Sequence, residues 1–283
     1  MFHVNVYSIT KELHCSNYDV IFRLDLNIII LAGAPKVGKS FLVAQIAYHI
    51  STGKPLWDLR VQQDTVLYLS LEDNYQRLQE RVSRMFGVEG TDRLHFCVCA
   101  EKLGEGLLPQ LDSFVKSYPD THVIIIDTLQ KIRLHKETSY HYAEDYDIVG
   151  HLKKYADARG LCILLVHHTR KQQADDVFEM ISGTSGLLGC ADGAMILQKK
   201  SRSDLEATLD VVGRDQADQR LYLLKDWEGS AAELAESLGG EWEPNILTRR
   251  LNVKSGELEK EYGIQYHRKR TRYGCQIYLQ MTL

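Results

Sequence analysis

Eight consecutive residues, Gly33-Ala34-Pro35-Lys36-Val37-Gly38-Lys39-Ser40, fit the pattern G-x-x-x-x-G-K-[ST] in full. Glycines at such positions let the backbone curl so that its N–H groups face a phosphate chain. The apolar run NIIILA precedes the motif and the helically spaced FLVAQIAYHI follows it. A helix N-terminus would therefore add partial positive charge at the same place. In such a loop Lys39 reaches the β- and γ-phosphates of a nucleotide, and the Ser40 hydroxyl ligates Mg²⁺. Further along, Val123, Ile124, Ile125 and Ile126 lead into Asp127, a strand ending in a carboxylate placed to hold the same ion. The two motifs predict binding of ATP with Mg²⁺. Many nucleotide hydrolases carry a glutamate directly after that aspartate, but here the next residue is Thr128. Another carboxylate must then orient the attacking water. Glu72, closing the run TVLYLSL, is the best placed, with its neighbour Asp73 as rival.

Groups so far apart in sequence meet only if a sheet brings them together. Apolar runs at 27–32, 65–71, 94–99, 123–126, 161–166 and 194–198 alternate with helically spaced segments at 40–50, 75–86, 107–117 and 146–158. That alternation predicts an α/β fold, a mostly parallel sheet flanked by helices. From residue 206 the texture changes: ATLDVVGR and RLYLLKDW flank a polar RDQADQ turn and predict a β-hairpin. After Trp227 comes a helix over 230–238, with a serine cap and a glutamate three residues on, and then a helix over 246–262. Two strands, 264–267 and 276–279, would be joined by the basic turn RKRTRYG. This is the order of a winged helix. The expected division is a core over 1–226 and a small winged-helix-like basic domain over 227–283.

Composition bounds the reading. The 283 residues are 44% hydrophobic and 25% charged, ordinary globular values, and the net charge of −4 excludes a uniformly basic protein. No apolar run approaches the ~18 residues of a spanning helix, so no membrane partner is expected. The start MFHVNVYSITKELH lacks the basic and apolar regions of a signal peptide. Six scattered cysteines make no disulfide framework, and Cys97 and Cys99 are expected on one face of a strand. A cytoplasmic protein is the expectation.

The series formed by the phosphate loop, LYLSLED, VIIIDT and LLVHHTRK resembles that of RecA-fold ATPases. The likeness is to the RepA-type hexameric replicative helicases of plasmids and mobile elements, over residues 26–226. It implies a RecA-like ATPase core in a homo-oligomeric ring, a hexamer, with active sites between subunits. It implies Glu72 as the catalytic base and Asp127 as the metal residue. His168, beside His167, would be the polar sensor of the γ-phosphate. Arg214, in VVGRDQ, would complete a neighbouring subunit's site.

By position in that resemblance, segments 129–142 and 169–182 correspond to loops that face DNA. Lys131 and Arg133 lie in the first, Arg170 and Lys171 in the second. The C-terminal unit points to nucleic acid by composition alone. Residues 246–273 hold eight basic side chains against three acidic ones, Arg249, Arg250, Arg268 and Arg270 among them. The expected function is a DNA-dependent ATPase acting on single-stranded or duplex DNA, as a replicative helicase or related motor. The alternative is an ATP-controlled DNA-binding switch without translocation. A small-molecule kinase would also use the loop, but it leaves His168 and Arg214 without a role.

Overall fold

Strands that are apolar on both faces need cover on both sides, and the computed structural model meets that need with helices. It describes residues 2–5, 27–57, 59–87, 90–133, 141–169, 176–181, 185–199, 206–214, 216–225, 227–238, 242–262, 264–271 and 274–281. The chain divides into two compact units: Tyr7–Gln198 with Thr208–Leu221, and a smaller one of Met1–Val6, Lys199–Ala207 and Tyr222–Leu283.

After a short strand β1 (Phe2–Asn5), the chain runs through β2 (Ile28–Gly33), α1 (Lys39–Thr52), β3 (Thr65–Ser70), α2 (Tyr75–Phe86) and β4 (Leu94–Cys97). It continues through α3 (Leu107–Ser117), β5 (Thr121–Asp127), α4 (His141–Asp157), β6 (Cys162–His168), α5 (Ser185–Cys190) and β7 (Gly193–Gln198). The hairpin β8 (Glu206–Gly213) and β9 (Gln216–Lys225) follows. The strand order is β9-β8-β7-β2-β6-β5-β3-β4. Pairing is parallel from β7 to β4, while β8 is antiparallel to β7. Core strands β2 and β3 are buried along their whole length, which is why they read as unbroken apolar runs. Helix α4 turns Ile148, Val149, Leu152, Tyr155 and Ala156 inward, a stripe of helical period, and α3 adds Leu107 and Leu111.

Because these strands are parallel, their C-terminal ends share one edge of the sheet, where open α/β sheets bind ligands. Register fixes which residues meet there. Gly33 stands opposite His168 on one side and Leu197 on the other. Ser70 stands opposite Asp127, and Asp127 opposite Val166.

In the smaller unit β1 pairs antiparallel with the last residues of β9. The rest is β10 (Trp227–Ser230), α6 (Ala231–Ser237), α7 (Pro244–Tyr262), β11 (Ile264–Thr271) and β12 (Gly274–Met281). The strands form an antiparallel sheet in the order β10-β12-β11. Ser230 and Glu233 make the reciprocal cap expected for α6, and Leu234, Ala235, Leu247 and Ile277 form the core.

Two local expectations change. The basic run expected in a turn lies in strand, because β11 extends to Thr271 and pairs it with Gly274. Edge strands tolerate such charge, since their outer side needs no apolar cover. Strand β4 ends at Cys97, paired with Leu69 just before β3 itself ends, so Cys99 lies beyond it. The two sulfurs still approach to 3.9 Å. Among the described residues no helix is long and apolar enough to cross a membrane.

Candidate active site

The loop between β2 and α1 is shaped by backbone that few side chains tolerate. Gly38 has φ 116° and Lys36 φ 66°. A Cβ on Gly33 would come within 2.7 Å of the Leu197 carbonyl oxygen and 3.0 Å of Val37 Cγ1. Only glycine lets the loop pass so close to β7. Helix α1 starts at Lys39 with no side-chain cap, which leaves its first N–H groups facing the loop.

Lys39 is 6% exposed. Its Nζ donates to the carbonyl oxygens of Gly33 (2.7 Å) and Ala34 (3.0 Å) and lies 3.1 Å from His168 Nδ1. An ammonium only donates, so Nδ1 accepts and the ring proton sits on Nε2. That Nε2 lies 3.8 Å from Glu72 Oε1. Burial brings Lys39 down to about 8, against the pull of the Asp127 and Glu72 carboxylates.

Asp127 is buried at the end of β5 and accepts from the hydroxyls of Ser40 and Tyr68, the latter at 3.0 Å. Burial raises its carboxyl above the usual range, and those two hydrogen bonds oppose the rise. Burial and the Asp127 charge push the Tyr68 phenol well up, so it stays a donor. The two candidate carboxylates differ in their surroundings. Asp73 accepts from Ser70 at 3.1 Å and is gripped by both Arg81 nitrogens at 2.7 and 3.1 Å. Glu72 is exposed and receives one hydroxyl, Thr128 Oγ1, at 3.1 Å.

The sheet edge thus brings together Lys39, Ser40, Glu72, Asp127 and His168. These residues fit a nucleoside triphosphate and its Mg²⁺: a glycine-shaped cradle, a buried ammonium, and a hydroxyl bonded to a carboxylate, the oxygen donors that ion takes. Tyr68 and Arg81 escaped the sequence reading. Tyr68 sits inside an apolar run, and Arg81 reaches Asp73 from two turns along α2, so neither carries a local signal.

Arg214 lies at the β8–β9 turn, largely exposed. It donates to the Gly189 carbonyl at 3.2 Å and faces Asp192 at 3.5 Å. Lys131 is exposed and Arg133 partly buried in the segment after β5, while Arg170 and Lys171 fall outside the described residues. In the smaller unit Arg249 and Arg250 are exposed on α7, with Arg250 over the Trp242 ring at 4.8 Å. Arg268 and Arg270 are exposed on β11.

Fold and loop together define a P-loop ATPase of the RecA fold. The model of the AAA-domain family matches residues 23–174, and the chain belongs to that family. A solved structure described as an ATPase domain superposes with a TM-score of 0.56 at 14% identity, over 71% of this chain and 81% of that one. A DnaB-like replicative helicase, solved in a study of its interactions with primase, gives 0.56 at 16% identity, over 70% of this chain and 56% of that one. The chain thus spans little more than half of that helicase. Among curated proteins, none matches by sequence.

Proposed function

We propose that the protein is a DNA-dependent ATPase of the RepA-like replicative-helicase type, hydrolysing Mg·ATP in a homo-oligomeric ring. The observation that carries this reading is the gathering of Lys39, Ser40–Asp127, Glu72 and His168 at the C-terminal edge of one parallel sheet. Residues 33–40 wrap the phosphates with backbone N–H groups, and Lys39 leaves its loop carbonyls to reach the β- and γ-phosphate oxygens. Ser40 and Asp127 would hold Mg²⁺, which would supply charge neutralisation to the phosphates. Glu72 accepts the proton of a water aligned with the γ-phosphorus, and the solvent-open position of its carboxylate suits that task. His168 touches both Lys39 and the neighbourhood of Glu72, so it registers whether the γ-phosphate is present. Arg214, exposed at a turn, serves a neighbouring subunit by stabilising the transferring phosphoryl group.

The smaller unit supports nucleic-acid binding. A strand, two helices and two strands in the sheet order β10-β12-β11 supports a winged-helix reading of this unit. Read so, α7 presents Arg249, Arg250 and Lys254, and β11 presents Arg268, Lys269 and Arg270, to phosphates.

The test is the ATPase rate against protein concentration, with and without single-stranded DNA, using Glu72→Gln as control. A rate that climbs with concentration and again with DNA, and is lost in Glu72→Gln while ATP still binds, is expected. A slow, flat rate blind to DNA would instead favour the nucleotide switch. Full activity in Glu72→Gln would remove Glu72 from the mechanism.

A further inference from the structure

We propose that Thr128 is the positioning residue for Glu72, a role that rests on Glu72 being the base. Thr128 follows Asp127 directly, where β5 gives way to a short 3₁₀ turn over Leu129–Ile132. It occupies the N-cap position of that turn with extended backbone, φ −127° and ψ 163°. A threonine there ordinarily turns its hydroxyl onto the N–H groups of the turn it starts. This one makes no such bond. Its Oγ1 crosses instead to the segment after β3 and donates to Glu72 Oε1 at 3.1 Å. An ionised carboxylate only accepts, so the direction of that bond is settled.

The two residues differ in freedom, and that makes the bond informative. Thr128 is 1% exposed and fixed by its surroundings, whereas Glu72 is a long, exposed side chain with several rotamers to lose. The ladder sets their meeting. Ser70 pairs with Asp127, and the Leu71 N–H donates to the Asp127 carbonyl at 2.7 Å, which carries Glu72 and Thr128 past the sheet edge side by side. His168 Nε2 approaches the same Oε1. With both groups gathered at Oε1, Oε2 is the oxygen left to take the proton of the attacking water. Thr128 therefore orients, from the β5 terminus, a base supplied by the segment after β3, whereas many other ATPases carry the base itself at its position.

A hydroxyl that only orients a base acts on the chemical step and spares ground-state binding. The experiment compares Thr128→Val, Thr128→Ala and Thr128→Ser with the full chain, alone and with Glu72→Gln. It reads kcat, KM for ATP, affinity for a fluorescent ATP analogue and the melting temperature. The Val and Ala variants should lose about ten- to a hundredfold in kcat, the scale of one hydrogen bond to a charged group. Nucleotide affinity should stay within about twofold. Ser, which differs from Ala by the hydroxyl alone, should recover most of the rate. Over Glu72→Gln, the loss of the hydroxyl should add nothing to the residual rate. Normal kcat in both Val and Ala, with Glu72→Gln inactive, would overturn the positioning role and leave the base intact. Equal losses in binding and rate that Ser does not recover would reduce Thr128 to a structural residue. Full activity in Glu72→Gln would overturn the base, and this inference with it.

Discussion

Raising the pH from 7 to 9 should weaken ATP binding about tenfold, and Lys39 is the reason. In the free protein burial brings its ammonium down to about 8. The charged fraction then falls from about nine-tenths at pH 7 to about one-tenth at pH 9. Phosphate oxygens favour the charged form, so binding returns the proton that alkaline solvent removed. Affinity is therefore flat below about 8 and falls by up to about tenfold per pH unit above it, as linkage requires. The assay is a fluorescence titration with an ATP analogue at fixed free Mg²⁺ from pH 6.5 to 9.5. Calorimetry at pH 8.5 in two buffers of different ionisation heat counts the proton taken up. Lys39→Ala should bind more weakly, with a flat profile and no uptake. Affinity that stays level through pH 9.5 would show that Lys39 is not depressed, and would refute the reasoning.

Three other outcomes are expected. Gly33→Ala should all but abolish nucleotide binding, since its Cβ meets the Leu197 carbonyl at 2.7 Å; it should cost about 1–3 kcal/mol of stability, read by denaturant melts. Tyr68→Phe removes one donor from Asp127, so the Asp127 carboxyl should rise further above its usual range. Activation by Mg²⁺ should then fail at a higher pH on the acid side than in the parent, with little change above neutrality. Arg214→Ala chains, inactive alone, should regain turnover when mixed with Glu72→Gln chains, each supplying the half-site the other lacks; rings that form yet show no recovery would place Arg214 outside the site.

Much of the fold was legible because its signals are local. A parallel strand buried on both faces must be apolar throughout, and a helix covering it must repeat its apolar residues every three to four positions. The strands around NIIILA, TVLYLSL and LCILLV and the helices at Tyr75–Phe86 and Leu107–Ser117 obey this. The extent of β11 was not legible, since an edge strand accepts charges that look like a turn. Nor was β1, whose four residues gain their meaning from pairing with β9, more than 200 positions away.

The sequence by itself determined the phosphate loop and the terminal carboxylate of β5. The first is a short stretch in which glycines, an ammonium and a hydroxyl follow one another, and the second is an apolar run closed by an acid. Tertiary structure alone decided how the two adjacent carboxylates differ. Arg81 reaches back along α2 to hold Asp73, while Thr128, 56 residues from Glu72, offers it a hydroxyl. It also decided that Lys39 rests against His168, 129 residues on. These contacts depend on which strands lie side by side and in what register. Strand order is a property of the whole packed sheet, and no single segment of this chain encodes it.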